Sequence, residues 1–127
     1  MIINRAKAGE YLRVVDDQYM APTYSPDLVK AVAQLVDANA TGTVHITNEG
    51  CCTWYEFAKA TLELAGIDHP IEAVSTDSFP SDTKRPGYSV LESERTATFG
   101  LSPLRHWRDA LLEYLHEKKI VNSANFN

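Results

Sequence analysis

The 127-residue sequence predicts a small α/β protein with about three short strands and four helices. Three observations carry that reading. Short β-branched runs at Leu12–Val15, Thr43–Thr47 and Pro70–Val74 alternate with longer stretches of helical period. Two of the helical stretches open on start signals, Ser25-Pro26-Asp27 and Thr53-Trp54-Tyr55-Glu56. The composition, 44% hydrophobic and 23% charged, is that of a chain able to build a core. Three short strands make a sheet with edges that want partners, so the domain reads as partial.

From the N-terminus, Ile2 to Ala8 lacks Gly and Pro and reads as a helix stopped by Gly9. Leu12-Arg13-Val14-Val15 is a strand, and Asp16 to Tyr24 is a loop punctuated by Pro22. Ser25 is the expected cap of the next helix, with Leu28, Val32, Leu35 and Val36 as its apolar stripe. Ala38 to Gly42 is a turn, Thr43 to Thr47 alternates as a strand, and Asn48-Glu49-Gly50 turns again. Thr53 and Glu56 form a capping box for a helix whose stripe is Phe57, Ala58, Thr61, Leu62 and Ala65, closed by Gly66. Pro70 to Val74 is a strand. Ser75 to Gly87, with Pro80 and Pro86, is a loop long enough to suggest a functional one. Glu92 to Phe99 predicts one or two helical turns ending at Gly100. Pro103 is expected to open the last helix, with Leu104, Trp107, Leu111, Leu112 and Leu115 on one face. Residues 1–118 are thus expected to form one domain and 119–127 a frayed or disordered tail.

Several function classes are disfavoured at once. A formal net charge of -5 argues against general affinity for nucleic acid. No apolar run approaches the roughly 20 residues of a spanning helix, and no secretory signal is evident. Cys51 and Cys52 are adjacent, which suits neither a disulfide nor a Cys-x-x-Cys metal pair. Free thiols and a cytoplasmic location are expected. The histidines, His45, His69, His106 and His116, are dispersed without zinc spacing, so no metal site is expected. His45 reads as a structural histidine. No Gly-x-Ser-x-Gly supports a hydrolase.

Three stretches stand out in order and spacing: Val14-Val15-Asp16-Asp17-Gln18 running into Ala21-Pro22-Thr23, then Cys52-Thr53-Trp54-Tyr55-Glu56-Phe57-Ala58, then Arg85-Pro86-Gly87-Tyr88-Ser89-Val90-Leu91. Together they resemble the C-terminal half of dTDP-4-dehydrorhamnose reductases, members of the extended short-chain dehydrogenase/reductase family. The likeness runs from about Ile2 to Leu115. It implies the C-terminal substrate-binding part of an extended Rossmann-type reductase, which reduces the 4-keto group of a dTDP-linked 6-deoxy sugar with NADPH, sometimes NADH, to give dTDP-L-rhamnose. One departure is Met20, where the family's loop usually carries glycine.

The resemblance implies that an arginine in the late loop, here Arg85, holds the pyrophosphate; a guanidinium grips phosphate through paired N–H bonds. The plain alternative is a solvated arginine, or one paired with Asp77 or Asp82. Asp17, Gln18, Pro22 and Thr23 form a second candidate group, because an amide and a hydroxyl on a rigid loop can read a base or sugar. Asp16 and Asp17 can equally satisfy the backbone of their own turn. Trp54 and Tyr55 could stack on a base, although packing in the core or between domains is the preferred reading. Glu56 is explained by its cap.

The family's cofactor turn and its catalytic tyrosine and lysine belong to the N-terminal half. Tyr55…Lys59 and Tyr114…Lys118 do match Tyr-x-x-x-Lys, but in a capped helix start and near the chain end. On any helix that spacing merely places two residues on one face. No catalytic residue and no cofactor site is therefore expected in this chain, and the isolated chain is expected to be inactive. The expected partners are a dTDP-sugar, the N-terminal cofactor-binding domain and a second copy in a homodimer; neither nucleic acid nor membrane is expected. The competing reading is a non-catalytic regulatory or oligomerising module.

Overall fold

The computed structural model describes residues Ile2–Val121. The described residues form a small α/β unit with four α-helices: α1 Ile2–Lys7, α2 Ser25–Asp37, α3 Trp54–Leu64 and α4 Trp107–Glu117. Six short strands form three separate pairs. β1 (Leu12–Val15) runs parallel to β5 (Ile71–Val74), with Leu12 opposite Ile71 and Val15 opposite Val74. β2 (Tyr19–Met20) pairs antiparallel with β4 (Cys52–Thr53). β3 (Asn48–Glu49) pairs parallel with β6 (Leu104–His106), with an irregular register between its two residues. Stretches of 3₁₀ helix, one turn at Thr76–Ser78 and two at Glu94–Phe99, fill the connections.

The main core joins α1, β1, β4, α3 and α4. Ile3, Leu12, Cys52, Leu62, Leu111 and Leu115 lie at its centre, with Trp107 closing it. A smaller cluster of Ala31, Leu35 and Leu101 sits under α2, covered by Val44, Ile46, Phe99 and Leu104. α3 has both halves of its capping box: Thr53 Oγ accepts from the Glu56 N–H at 3.1 Å, and Glu56 accepts from the Thr53 N–H at 2.9 Å. Gly66, at φ +66°, ends the helix in the left-handed conformation that suits glycine.

Several expectations are corrected. Asn48–Glu49 and Tyr19–Met20, expected in a turn and a loop, are the short strands β3 and β2. Ser25 is the first helical residue of α2 rather than its cap; Tyr24 stands at the cap and makes no side-chain capping bond. The Tyr24 N–H goes instead to the side chain of Asn48, at 2.8 Å. Val32 and Val36 are exposed, because α2 buries Asp27, Ala31 and Leu35. α4 starts at Trp107, not Pro103: Leu104–His106 is a strand, and His106 Nδ1 caps the helix by accepting from the Arg108 N–H. Thr43–Thr47 is no strand. Its apolar side chains, Val44 and Ile46, pack on the α2 cluster, but among the described residues the segment has no ladder partner. Of the expected tail, Ile120 and Val121 pack against the main core and the Ile120 N–H reaches the Leu115 carbonyl. The remainder, 122–127, lies outside the described residues.

A candidate ligand-binding surface of two adjoining clefts

The exit of β1 organises the surface. Asp16 extends the β1–β5 ladder through its N–H to the Val74 carbonyl, and its carboxylate accepts from Thr53 Oγ at 2.5 Å. That Thr53 hydroxyl thus donates to Asp16 while accepting at the α3 cap, so the cap and the strand exit share one atom. Asp17 turns the other way. Its carboxylate accepts from the Thr76 N–H at 2.9 and 3.0 Å and from Thr76 Oγ at 2.5 Å. These bonds hold its carboxyl below the usual range, the Thr76 hydroxyl first and the Thr76 N–H second. Asp17 therefore satisfies the backbone beyond β5 rather than that of its own turn. Gln18 is buried and donates to the same Thr76 hydroxyl at 2.9 Å.

Met20 adopts strand geometry opposite Cys52, so the position does not demand a positive φ. Tyr19 beside it fixes the late loop: its N–H donates to the Gly87 carbonyl at 2.8 Å, and its carbonyl accepts from the Ser89 N–H at 3.0 Å. This clamp brings Arg85 next to β1.

Two clefts result. The smaller, about 430 Å³, is lined by Arg13, Gln18, Trp54, Thr76, Phe79 and Arg85. The larger, about 680 Å³, is mainly apolar and includes Pro22, Thr23, Trp54, Phe57, Trp107 and Tyr114. Trp54 and Val14 border both. Gln18 and Arg85 thus share one cleft, and Pro22 and Thr23 line its neighbour. Asp17 lies behind the first, bonded to Thr76. Arg85 is exposed and, among the described residues, pairs with neither Asp77 nor Asp82. Trp54 is 42% exposed, so core packing within this chain does not explain it. Arg13, which the sequence reading passed over, stacks on Phe79 at 5.4 Å and sits 3.5 Å from Glu72.

A second feature escaped the sequence. Asn48, only 1% exposed, accepts from the Tyr24 N–H and donates to Asp27 at 2.9 Å and to the Arg105 carbonyl at 3.0 Å. Arg105 grips Asp27 through two bonds, at 2.8 and 2.9 Å, bonds Glu113, and lies over the Tyr24 ring at 5.4 Å. Arg105, then Asn48, holds the Asp27 carboxyl below its ordinary range. The Tyr24 hydroxyl donates to Glu117 at 2.7 Å, which pushes its pKa up to about 12. This network anchors the end of the Pro22–Tyr24 loop from both sides. Asp-x-x-x spacing gives no hint of it, because its members are 21 and 78 residues apart.

The two Tyr-x-x-x-Lys strings are ordinary helix neighbours; Lys118 Nζ lies over the Tyr114 ring at 5.8 Å. His45 is exposed, contrary to a satisfied structural role. Among the described residues no three His, Cys, Asp or Glu side chains cluster to hold a metal ion, and no helix is long and apolar enough to cross a membrane.

A short parallel β-pair flanked by helices, with an arginine-bearing cleft at the strand exit, defines an α/β piece with a candidate binding surface. The family model described as RmlD substrate binding domain matches residues 1–120. The spore coat polysaccharide biosynthesis protein SpsK of Bacillus subtilis is 43% identical over 117 residues, 92% of this chain and 41% of that protein. The dTDP-4-dehydrorhamnose reductase of Mycolicibacterium smegmatis is 41% identical over 112 residues, 86% of this chain and 34% of that protein. A crystal structure of a dTDP-4-dehydrorhamnose reductase from Clostridium acetobutylicum superposes with a TM-score of 0.88 at 36% identity, covering 93% of this chain and 42% of that one. The Bacillus anthracis reductase crystallised with NADP gives 0.87 at 32% identity, covering 91% and 41%. The chain belongs to the RmlD substrate binding domain family. It spans about two fifths or less of the length of these relatives.

Proposed function

We propose that this chain is the dTDP-sugar-binding portion of a dTDP-4-dehydrorhamnose reductase, whose full-length form reduces dTDP-4-dehydro-L-rhamnose to dTDP-L-rhamnose with NADPH. The observation that carries the reading is the shared cleft: an exposed Arg85 beside Gln18 and the half-open face of Trp54. Arg85 grips the diphosphate through its planar fork. Trp54 offers a stacking face to the base, and Gln18, steadied by Thr76, supplies directional hydrogen bonds. Asp17 acts through Thr76, holding it in place. Pro22 and Thr23 border the adjoining apolar cleft, which suits the methyl-bearing face of a 6-deoxy sugar.

The residues present do not fit a nicotinamide dinucleotide. Gly9, Gly66 and Gly100 close helices, Gly42 and Gly50 make turns, and no two glycines are close enough in sequence to form a phosphate-cradling turn. In this reading the chain catalyses nothing alone: it contributes grip, and binding at the nucleotide end positions the sugar carbonyl for chemistry supplied by the rest of the parent. A homodimer is part of the same proposal for the full-length protein.

Titration with dTDP and dTDP-rhamnose, followed by tryptophan fluorescence, tests it. Trp54 borders both clefts, so saturable quenching is expected, weakened about tenfold or more by Arg85→Ala. No response at millimolar ligand from a folded sample would refute the reading and favour a structural or oligomerising module.

A further inference from the structure

Arg13 carries a guanidinium that is held in place and left unused. Strand alternation in β1 turns Leu12 into the core and Arg13 out of it. The planar head lies over the Phe79 ring at 5.4 Å. Its Nε stands 3.5 Å from the Glu72 carboxylate, across the β1–β5 pair. Glu72 also accepts from the Tyr11 hydroxyl, which steadies the carboxylate in turn. Among the described residues, no hydrogen bond uses the terminal guanidinium nitrogens of Arg13. A ring beneath and a carboxylate along one edge thus orient the fork, and its terminal N–H groups remain to be satisfied.

The cleft in front of the fork decides what can satisfy it. Arg13 and Arg85 line that cleft together with Trp54, and neither Asp nor Glu borders it. The two arginines enter from different ends. Arg13 leaves β1 three residues before Asp16, about 10 Å back along the extended strand. Arg85 arrives on the late loop, tied to Tyr19 beyond the strand exit. They also differ in charge. Arg85 has no carboxylate beside it among the described residues, so its positive charge is free for a diphosphate. The charge of Arg13 is balanced by Glu72, so it offers directed donors with little net attraction for an anion. Such donors suit a neutral acceptor: a ring carbonyl on the edge of a base whose face rests on Trp54.

We propose that Arg13 is the base-selecting residue of this cleft, donating to the O4 carbonyl of a uracil or thymine and rejecting the N4 amine of cytosine. This rests on the functional reading above for the presence of a nucleoside diphosphate. A carbonyl oxygen accepts from the fork, whereas an exocyclic amine points a donor at a donor and leaves both unpaired. Phe79 is the backing that keeps the fork in plane.

Calorimetric titration of the full chain with dUDP, dCDP and inorganic pyrophosphate separates base from phosphate, because the two nucleotides differ in the base alone. Wild type should bind dUDP about tenfold or more tighter than dCDP. Arg13→Ala should weaken dUDP about tenfold, bring the two nucleotides within about threefold of each other, and leave pyrophosphate binding in place. Arg13→Lys keeps the charge without the planar fork and should lose the same selectivity. Equal losses of dUDP, dCDP and pyrophosphate in Arg13→Ala would make Arg13 a phosphate ligand and overturn the proposal. So would a wild type that does not distinguish dUDP from dCDP, or a preference that survives both substitutions; in either case dUDP still binds and the functional reading stands. A folded chain that binds neither dUDP nor dTDP at millimolar concentration overturns the functional reading, and the base selection falls with it.

Discussion

Replacing Asn48 by alanine is the most informative single change to the fold, because three elements meet at that one buried amide. The substitution removes the acceptor of the Tyr24 N–H at 2.8 Å and the donor to Asp27 at 2.9 Å and to the Arg105 carbonyl at 3.0 Å. Neutral hydrogen bonds contribute about 1 kcal/mol each and one to a carboxylate about 1.5–3 kcal/mol, and the buried groups left behind are not resolvated. Asp27 keeps its two bonds from Arg105, which limits the loss on that side. The expected destabilisation is about 3–4 kcal/mol, a fall in Tm on the order of 10 °C or more for a chain of this size. Urea unfolding followed by circular dichroism measures it. Asn48→Asp adds a diagnostic. It keeps an acceptor for Tyr24 but turns a carboxylate oxygen toward Asp27, so its deficit is largest at neutral pH and narrows as acid protonates the pair. A loss under about 1 kcal/mol for Asn48→Ala would show that the network does not anchor the start of α2.

Arg105 and Asn48 depress the Asp27 carboxyl in the folded chain, so its contribution to stability is present above the unfolded pKa of about 3.9 and is lost as pH falls through the lower folded value. Urea midpoints measured between neutral pH and strong acid should therefore drop less steeply for Asp27→Asn than for wild type; equal slopes would contradict the assignment. Gly50→Ala should be far worse than Gly66→Ala, although both glycines have positive φ. A Cβ at Gly50 would meet His106 Nε2 at 2.4 Å, whereas at Gly66 it meets nothing within 4 Å. Thermal melts should separate the two variants by about 1–3 kcal/mol, with Gly66→Ala costing about 1 kcal/mol. Leu115→Ala, at a side chain 0% exposed, should cost about 2–5 kcal/mol by urea unfolding. Cys51 is exposed, while burial pushes the Cys52 thiol up to about 12. A thiol reagent at mildly alkaline pH should label one cysteine in native protein and both in denaturant; two native labels would refute the burial of Cys52.

Local chemistry was legible in the sequence wherever it acted over a few residues. The capping box of α3, the strands β1 and β5 and the helix-ending glycines follow from side chains that bond or pack within one turn. What the sequence hid depends on distant pairing. Leu104 and Trp107 fit a helical period as well as a strand, and only the alignment of Leu104–His106 with Asn48–Glu49 decides for β6. Ser25 has the chemistry of a cap, but Asn48 reaches the Tyr24 N–H from 24 residues away. Val32 and Val36 match the apolar period of α2, yet period alone does not say which of two apolar stripes turns inward. Thr43–Thr47 has the pattern of a strand without a partner among the described residues to complete it. For the surface, the late loop was legible as a candidate because of its length, its prolines and Arg85. The bond from Gln18 to Thr76 and the exposure of Trp54 between two clefts required the fold, since they join residues from β1, α3 and the segment after β5.

NADPH oxidation in the presence of dTDP-4-dehydro-L-rhamnose puts the whole account to one trial. The chain alone should show no turnover, and turnover should appear when the unmatched portion of the Mycolicibacterium smegmatis dTDP-4-dehydrorhamnose reductase is added. Steady oxidation by the chain alone would place the hydride chemistry inside these 127 residues and contradict the account.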